Sequence, residues 1–503
     1  MNTKEIIDKL TKLKINPKIA AFVEKYINAI PMVKREIEKQ TDEMMIELEK
    51  SLRPYRDDFE SYREIPTNGV DKEQVIKDMR AIKEMESKRW KEGYVSGTVY
   101  HGNDEFVEFL NEVYAINSQS NPLHSDLFPS SSKFEAEIIS MTANMLGAKN
   151  TRDTICGSVS SGGTESILLA MKTYRDWARD TKGIKKPNMI VPDTAHAAFD
   201  KAAQYFGIKM IRIPMADDYR ADVDAIKKAI NKNTILLVGS APTFPHGVID
   251  PIEELAAIAK KKNIGMHVDA CLGGFILPWI AKLGYPVAPF DFSVDGVTSM
   301  SSDTHKYGYA AKGTSVVLYR GMELRNYQYF TVTDWPGGLY FSPTFAGSRA
   351  GALSATCWAA MIAMGEDGYM DAADKIMKAA TTIKQGIRDT PHVYVFGNPL
   401  WDISFGSDSL NIYEIMDFMT KKGWNINGLH KPSCIHICLT LRHTQEGVAE
   451  TFIADLQEAV AYVEANPGAD DGLAPVYGMA ATLPLRGVVS DLLKKYMDAI
   501  YKV

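Results

Sequence analysis

Lys306 has the surroundings that a Schiff-base lysine needs. It lies in the string SSDTHKYGY, residues 301–309, where hydroxyl, carboxyl and imidazole groups follow an apolar strand pattern. Asp269 ends an earlier apolar strand in the string MHVDACLGG, residues 266–274. A lysine amine can hold an aldehyde as an imine, and a carboxylate can keep a pyridine nitrogen protonated. The two residues together therefore predict a pyridoxal 5′-phosphate site with Lys306 and Asp269 at its catalytic centre.

A glycine-rich turn earlier in the chain could hold a phosphate group. The string VSSGGTESI, residues 159–167, leads into an apolar-periodic helix, and its glycines allow close approach of the backbone. A helix N-terminus presents free N–H groups and a positive dipole end to an anion. Ser161, Gly162, Gly163 and Thr164 are therefore candidate cofactor-phosphate residues. A capped helix after a flexible turn explains the same string without a ligand.

Three further kinds of polar position could complete such a site. His196 follows an apolar strand and opens a helix, where its imidazole could stack on a planar ring or simply cap the helix. Ser302 and His305, which come shortly before Lys306 in the chain, could bind a phosphate or orient the imine that the lysine forms. Ser348, in the polar loop AGSRA of residues 346–350, is a further candidate phosphate contact.

The elements that must position these residues alternate between short apolar runs and amphipathic helices. We predict strands at 188–191, 209–213, 234–239, 265–268 and 314–319. We predict helices at 163–179, 196–206, 222–231 and 252–262. Such alternation is typical of a mostly parallel α/β sheet, which holds its ligand at the carboxyl ends of the strands.

The remaining patterns suggest three segments. Residues 1–108 are predicted to be a helical N-terminal segment, and residues 109–367 a large catalytic domain. Residues 368–503 read as a smaller α+β domain, with elements at 371–387, 392–396, 402–405, 410–421, 434–439 and 448–465. Residues 1–50 are expected to pack against this subunit or a partner subunit, with a peripheral membrane contact kept as the alternative.

Composition narrows the class of protein. The formal net charge of −6 gives no support for nucleic-acid binding. The five cysteines are scattered and odd in number, which favours buried thiols in a reducing compartment over disulfides or a metal site. The N-terminus lacks the pattern of a signal peptide, and no window is apolar enough for a membrane helix. We therefore expect a cytoplasmic protein with no metal ion.

The order of these motifs resembles the fold-type I pyridoxal-phosphate enzymes of the group II decarboxylase branch. Within that branch the chain is similar to the sphingosine-1-phosphate lyase family, on strings that begin at His196, Phe244, His267, Asp303 and Thr333. The similarity runs from about residue 55 nearly to the C-terminus. It implies a large domain with a mostly parallel seven-stranded sheet flanked by helices, a smaller α+β C-terminal domain and a homodimer with shared active sites.

The resemblance also implies roles for individual residues. Lys306 would form the internal aldimine, Asp269 would bind the pyridine nitrogen and His196 would stack on the ring. Gly163, Thr164, His305 and, across the dimer interface, Ser348 would hold the cofactor phosphate. Tyr100, Asn121 and His124 lie in stretches that reach into the partner's active site in that family. Lys312, His124, Asn121 and Tyr94 would hold a substrate phosphate, a dianion that suits a cation and directed donors.

The implied reaction is retro-aldol cleavage of a phosphorylated long-chain base, such as sphingosine 1-phosphate, to a long-chain aldehyde and phosphoethanolamine. Tyr100, His196 and Lys306 are the candidate proton carriers, and the sequence does not choose among them. Asn121 before a proline is also a common turn residue, and Lys312 could be a solvated loop charge. An amino-acid decarboxylase using the same cofactor is the closest alternative, and a noncatalytic lipid-phosphate binding protein is a more distant one.

Overall fold

The computed structural model describes residues 45–46, 49–50, 52–468 and 486–503, with side chains from residue 490 in the last range. The described residues form two compact units. The larger unit comprises Gly93–Gly406 and His436–Gln457, and the smaller comprises the other described residues. All of the candidate site residues belong to the larger unit. The division of the chain at residues 109 and 368 stays a prediction.

A seven-stranded sheet forms the centre of the larger unit, in the order β1-β7-β6-β5-β4-β2-β3. Its strands are β1 (Ile155–Ser160), β2 (Asn188–Pro192), β3 (Lys209–Ile213), β4 (Thr234–Ser240), β5 (Gly265–Asp269), β6 (Ser299–Ser302) and β7 (Ser315–Arg320). β7 runs antiparallel to β1 and β6, and the other neighbours are parallel. The mostly parallel sheet is therefore confirmed.

The strands of this sheet differ in how clearly their own sequences predict them. β2, β4 and β5 are buried along their whole length and were predicted within one or two residues of their observed ends. β1 and β6 were missed, because ICGSVS and SMSS carry hydroxyl groups and a glycine instead of an apolar run. Both strands are nevertheless almost fully buried, so tertiary packing overrides their weak local pattern.

Helices connect the parallel strands of the larger unit, since parallel neighbours need crossover connections. The helix Lys72–Lys91 belongs to the smaller unit. Chain order gives α1 (Lys72–Lys91), α2 (Asp104–Asn117), α3 (Pro129–Met145), α4 (Gly163–Lys182), α5 (Ala198–Phe206), α6 (Val223–Ala229), α7 (Ile252–Lys262), α8 (Leu277–Lys282), α9 (Met322–Asn326) and α10 (Gly351–Asp389). The backbone of α10 is interrupted at Gly365, which has φ 56°. The predicted helix at 371–387 is thus the second part of a longer element.

The C-terminal part of the chain contains the predicted mixture of helices and strands. Its elements, with the hairpin that precedes α10, are β8 (Phe330–Val332), β9 (Tyr340–Ser342), β10 (Tyr394–Val395), β11 (Asp402–Gly406), α11 (Ile412–Lys421), β12 (Asn427–Leu429), β13 (Cys434–Cys438), α12 (Val448–Ala465) and α13 (Arg486–Ile500). β11 lies between β10 and β13 in a smaller sheet. The predicted helix over residues 1–50 falls almost entirely outside the described residues.

The core of the larger unit surrounds α4. Tyr174 on that helix belongs to one buried cluster with Phe199 of α5 and with Met189, Leu236 and Tyr319 of the sheet, all of them fully or almost fully buried. This packing fixes the start of α4 against the strand ends, where the candidate residues lie. Among the described helices, none combines the length and the apolar character needed to cross a lipid bilayer.

Candidate active site

Lys306 is held by a buried carboxylate. Its Nζ lies 3.0 Å from Oδ2 of Asp303, whose side chain is 3% exposed. Burial is the largest influence and works to lower the pKa of Lys306, but Asp303, Tyr100 and Cys271 together outweigh it, so the pKa is raised. Burial likewise works to raise the pKa of Asp303, but Lys306 and then His305 bring it below its ordinary value. The pair is therefore an ion pair, and Asp303 is a site residue that the sequence reasoning missed.

Asp269 lies where its motif predicts, at the carboxyl end of β5 and buried. Its Oδ1 accepts hydrogen bonds from the Cys271 backbone N–H at 3.1 Å and from the Ser301 hydroxyl at 3.3 Å. Ser301 Oγ also lies 3.2 Å from Nε2 of the buried His267. Hydroxyl and amide donors thus hold one carboxylate oxygen, and no donor among the described residues takes the other. That oxygen suits a protonated ring nitrogen.

The glycine-rich turn forms a cradle at the start of α4. Gly162 precedes this 20-residue helix, which begins without a side-chain cap, so its first N–H groups have no internal partner. A Cβ at Gly163 would lie 2.7 Å from Asp303 Oδ1 and 2.8 Å from Cys271 Sγ. Only glycine allows this close approach. Ser161 and Thr164 are exposed beside it, so the cradle is open to an anion.

His305 faces the cradle from the turn after β6, and Ser302, the last residue of β6, has its hydroxyl against Gly274. A Cβ at Gly162 would lie 3.7 Å from Cε1 of His305, and Nδ1 of His305 donates to the Thr314 carbonyl at 2.5 Å. Burial, followed by nearby Lys312 and Lys306, lowers the pKa of His305 despite Asp303. The Ser302 hydroxyl is buried and has no partner among the described residues. His305 is thus placed beside a bound phosphate, and the Ser302 hydroxyl is a buried donor without a partner.

His196 is exposed between β2 and α5. Its Nδ1 accepts a hydrogen bond from the Ala198 backbone N–H at 3.1 Å, so the imidazole caps the start of that helix. This is the structural alternative that the sequence left open, and it still leaves Nε2 and the ring face accessible. Capping fixes the ring's orientation, which a stacking role also requires.

Lys312 and Tyr100 lie together beside Lys306. The ammonium of Lys312 lies 4.7 Å from the centre of the Tyr100 ring and 3.3 Å from the His305 carbonyl oxygen. Burial, with nearby Lys306, lowers the pKa of Lys312 to about 8. Burial raises the pKa of Tyr100, and the charges of Lys306 and Asp303 both act on its hydroxyl. The resemblance assigned Tyr100 to the partner's active site, whereas the structure places it beside the lysine of its own chain.

Asn121 and Ser348 form a second group. Asn121 Nδ2 donates to Ser348 Oγ at 3.1 Å, and Asn121 Oδ1 accepts from the backbone N–H groups of Leu123 and Arg349. Arg349 is held in turn by Glu135, at 2.7 Å. Among the described residues, no hydrogen bond or ion pair of this group reaches Lys306. His124 is exposed one turn further on, and Tyr94 is half-buried.

Glu165 connects the cradle to the loop that carries Ser348, and sequence reasoning missed it. Its Oε2 accepts from the Ser161 backbone N–H at 2.6 Å, and its Oε1 accepts from the Phe345 backbone N–H at 3.0 Å. An acid in the first turn of a helix is a capping signal that could have indicated the first contact. The second contact spans 180 residues, and no local pattern predicts it.

These residues fit pyridoxal 5′-phosphate. The uncapped start of α4 and the unpartnered Ser302 hydroxyl suit a phosphate, Lys306 supplies an amine and Asp269 supplies a carboxylate oxygen for a ring nitrogen. The donors come from four places on one sheet edge, where ligands of α/β sheets bind.

Comparison with known proteins agrees with this arrangement. Residues 59–399 match the model of the pyridoxal-dependent decarboxylase conserved domain. The chain is 48% identical to a sphingosine-1-phosphate lyase of Oryza sativa subsp. japonica, over 97% of this chain and 88% of the relative. It is 43% identical to the sphingosine-1-phosphate lyase of Drosophila melanogaster, over 95% of this chain and 88% of the relative.

Solved structures show the same relation. A sphingosine-1-phosphate lyase of Burkholderia pseudomallei superposes with a TM-score of 0.83 at 40% identity, over 89% of this chain and 99% of that one. A glutamate decarboxylase of Lactobacillus brevis gives a TM-score of 0.68 at 22% identity, over 81% and 96% of the two chains. The second likeness is one of fold alone, and the predicted fold class is confirmed.

Proposed function

Since the chain belongs to the pyridoxal-dependent decarboxylase family and, within it, to the sphingosine-1-phosphate lyases, we propose that it cleaves phosphorylated long-chain bases. The products are a long-chain aldehyde and phosphoethanolamine. Pyridoxal 5′-phosphate, when bound, supplies a ring that accepts the electron pair of the broken carbon–carbon bond. The observation that carries the proposal is the Lys306–Asp303 ion pair beside Asp269, with a second cation, Lys312, next to it.

We propose that one group of residues binds the ring of the cofactor and that another group binds its phosphate. Lys306, Asp269 and His196 would hold the cofactor's ring, and the start of α4 with Ser302 and His305 would hold its phosphate. A substrate hydroxyl proton has to leave for an aldehyde to form, and a proton has to return to the amine-bearing carbon. Tyr100 and Lys306 lie beside each other to carry these protons, with His196 as the third candidate.

We propose that Lys312 holds the substrate phosphate, together with His124, Asn121 and Tyr94. The Lys312 residue keeps contact with solvent along its side chain, while its ammonium lies against the Tyr100 ring. A phosphate monoester carries nearly two negative charges at neutral pH and binds where a cation and directed donors meet. Lys312 thus recognises the part of the substrate that a free sphingoid base lacks.

An assay for aldehyde release tests the function directly. Purified protein with pyridoxal 5′-phosphate and sphingosine 1-phosphate should release the long-chain aldehyde and phosphoethanolamine, and a Lys306→Ala variant should release neither. Release of carbon dioxide from glutamate, tyrosine or histidine without aldehyde would instead show an amino-acid decarboxylase. A retained fold with neither activity would support the lipid-phosphate binding protein.

We also propose that the protein works as a homodimer, to which Ser348 and Asn121 contribute across the interface. Large apolar side chains are exposed around the loop that carries Ser348, which favours a covering partner; they are Phe330, Trp335, Leu339, Phe341 and Phe345. Mixing Lys306→Ala with Ser348→Ala subunits tests this arrangement. Restored activity, approaching a quarter of that of the wild-type protein, indicates sharing, and none indicates that Ser348 serves its own chain.

We propose that any peripheral membrane contact involves residues 1–50. We also propose that the protein is located in the cytoplasm. Co-sedimentation of the full chain with liposomes, compared with a chain lacking residues 1–50, tests the first proposal. Fractionation of the source cells tests the second. A chain that does not bind liposomes with or without those residues contradicts the membrane contact.

A further inference from the structure

Two serines of β6 are buried between strands, where apolar side chains are the usual choice. Ser299 and Ser301 are fully buried and point to the same face of the sheet, since side chains alternate along a strand. The parallel register places His267 of β5 beside Ser299 and Asp269 beside Ser301. Buried polar side chains are costly unless they are hydrogen-bonded. These four residues form a polar row whose hydrogen bonds satisfy one another.

The polar row extends to a tyrosine of α4. The Tyr174 hydroxyl is buried and donates to Ser299 Oγ at 2.7 Å. The same hydroxyl lies 2.7 Å from Oγ1 of Thr298, the residue that precedes β6. Tyr174 and Thr298 line a cavity at the amino ends of β5 and β6, whereas Asp269 is the last residue of β5. The polar row thus crosses the sheet and ends at the edge that carries the candidate site.

The hydrogen bonds of the polar row all run towards Asp269. A carboxylate can only accept, so the Ser301 hydroxyl donates its proton to Asp269 Oδ1 at 3.3 Å. Ser301 Oγ has no second proton, and His267 Nε2 at 3.2 Å therefore has to donate to it. A neutral imidazole has a single N–H, so His267 Nδ1 accepts from Ser299 Oγ at 2.7 Å. Ser299 accepts in turn from Tyr174.

The surroundings of His267 keep its imidazole neutral and in place. Burial lowers the pKa of His267 to about 4, although the charge of Asp269 acts in the opposite direction. The Phe199 ring of α5 packs edge-on against the imidazole, with 5.9 Å between ring centres. The Cys271 thiol donates to Ser301 Oγ at 3.2 Å, beside the bond from His267. The proton and both lone pairs of the Ser301 hydroxyl are therefore committed.

We propose that His267 is a positioning residue that acts through Ser301 to hold Asp269 towards the ring nitrogen of the cofactor. With the His267 proton on Nε2, the Ser301 hydroxyl donates to Asp269 Oδ1 and leaves the other carboxylate oxygen to the ring. With the proton on Nδ1, Nε2 would accept from Ser301 instead, and Asp269 would lose that donor. Tyr174 favours the first arrangement, because Ser299 accepts from it and gives its own proton to Nδ1. The proposal rests on the proposed role of Asp269, but the position of the His267 proton is independent of any activity.

Nitrogen-15 spectra of the full-length protein with labelled histidines test where the proton lies. The His267 signals, assigned as those lost in His267→Gln, should belong to a neutral ring protonated on Nε2 at pH 7, because the pKa lies near 4. Tyr174→Phe removes the first donor of the polar row and should let the form protonated on Nδ1 appear. A wild-type His267 that is charged, or protonated on Nδ1, overturns the proposal.

Binding of pyridoxal 5′-phosphate, with the absorbance spectrum of the bound cofactor, tests the action on Asp269. His267→Leu should weaken binding about tenfold and shift the spectrum, whereas His267→Gln, whose amide can donate to Ser301, should stay within about threefold of the wild-type protein. His267→Leu combined with Ser301→Ala should bind no more weakly than Ser301→Ala alone, because the histidine acts through the serine. Additive losses would instead make His267 structural only and overturn the proposal.

Tyr174→Phe keeps the test decisive where His267→Leu does not fold. It should shift the cofactor spectrum in the same direction as His267→Leu, by a smaller amount. Tyr319→Phe is the matched control, since its buried hydroxyl contacts Thr173 at 3.3 Å instead of the polar row, and it should leave the spectrum unchanged. If Asp269→Asn alters the spectrum but folded Tyr174→Phe does not, the positioning role is wrong. If Asp269→Asn itself leaves binding and spectrum unchanged, the proposed role of Asp269 is wrong instead.

Discussion

Asp303 and Asp402 are two buried carboxyl groups of the same unit whose pKa values move in opposite directions. Asp303 is 3.0 Å from the Lys306 ammonium, which holds the pKa of Asp303 below its ordinary value despite burial. Asp402 faces a neutral imidazole and a thiol, and burial raises the pKa of Asp402 well above its ordinary value. Burial is the largest influence on both groups, so the nearest partner decides which charge state survives.

The difference has a functional consequence. The ion pair at Asp303 fixes a reactive lysine where a cofactor can meet it, and the neutral acid at Asp402 adds no charge that would compete with Asp303 for that lysine. One buried acid is therefore paired with a cation, and burial favours the neutral form of the other. Four substitutions can break or sharpen this contrast.

Lys306→Ala should have the largest effect. Turnover should fall by about a thousandfold or more, on the scale seen when a covalent catalytic group is removed. The overall fold should persist, and Asp303 should become an unpaired buried acid like Asp402, with a raised pKa. Aldehyde release, circular dichroism and infrared titration of the carboxyl groups measure these effects. An unchanged Asp303 signal would show that Lys306 is not its main partner.

Asp303→Asn should have the next largest effect. The pKa of Lys306 should fall because its counter-charge is removed, and kcat should drop about tenfold to a hundredfold. The free energy of unfolding should decrease by about 1–3 kcal/mol, less than for a fully buried pair because Lys306 is 24% exposed. Chemical denaturation measures this loss. Asp295→Asn, on an exposed acid, should change neither quantity.

Lys312→Ala should act mainly on substrate binding. We expect KM for the phosphorylated base to rise about ten- to thirtyfold, which corresponds to about 1.4–2 kcal/mol, with a smaller change in kcat. Because the pKa of Lys312 lies near 8, the wild-type KM should rise as the pH increases through that value and the ammonium loses its proton. Lys312→Arg should keep its charge and abolish that rise. Unchanged discrimination between phosphorylated and free bases would contradict the role.

The smallest expected effect is the pH dependence of stability. A raised carboxyl pKa means that the folded state binds the proton more tightly, so Asp402 should reduce stability as pH rises from about 4 towards its folded value. The lowered pKa of Asp303 gives the opposite slope, with stability lost as pH falls. Asp402→Asn should therefore be more stable than the wild-type protein at alkaline pH, by about 1 kcal/mol, as measured by urea denaturation at pH 5 and pH 9. A difference that shrinks with rising pH would contradict the protonated state.

The sequence predicted much of the central sheet and of the candidate site. Motifs identified Lys306, Asp269 and the glycines before α4, because functional residues gather at the ends of parallel strands. Apolar runs predicted five strands of the central sheet. β1 and β6 were not found, since their small polar residues are buried by neighbours that no local pattern reveals.

The sequence by itself determined the elements with clear hydrophobic periodicity, the reactive lysine and the family, because hydrophobic periodicity and motif strings are local. Only the tertiary structure decided which acid pairs with Lys306, that Tyr100 lies beside Lys312 and that Asn121 binds Ser348. It also decided that the Asp402 carboxyl has no hydrogen-bond partner within the part of the chain that the structure describes. The reason is physical: the charge state of a buried group depends on distances of 3–4 Å between residues that are far apart in the chain.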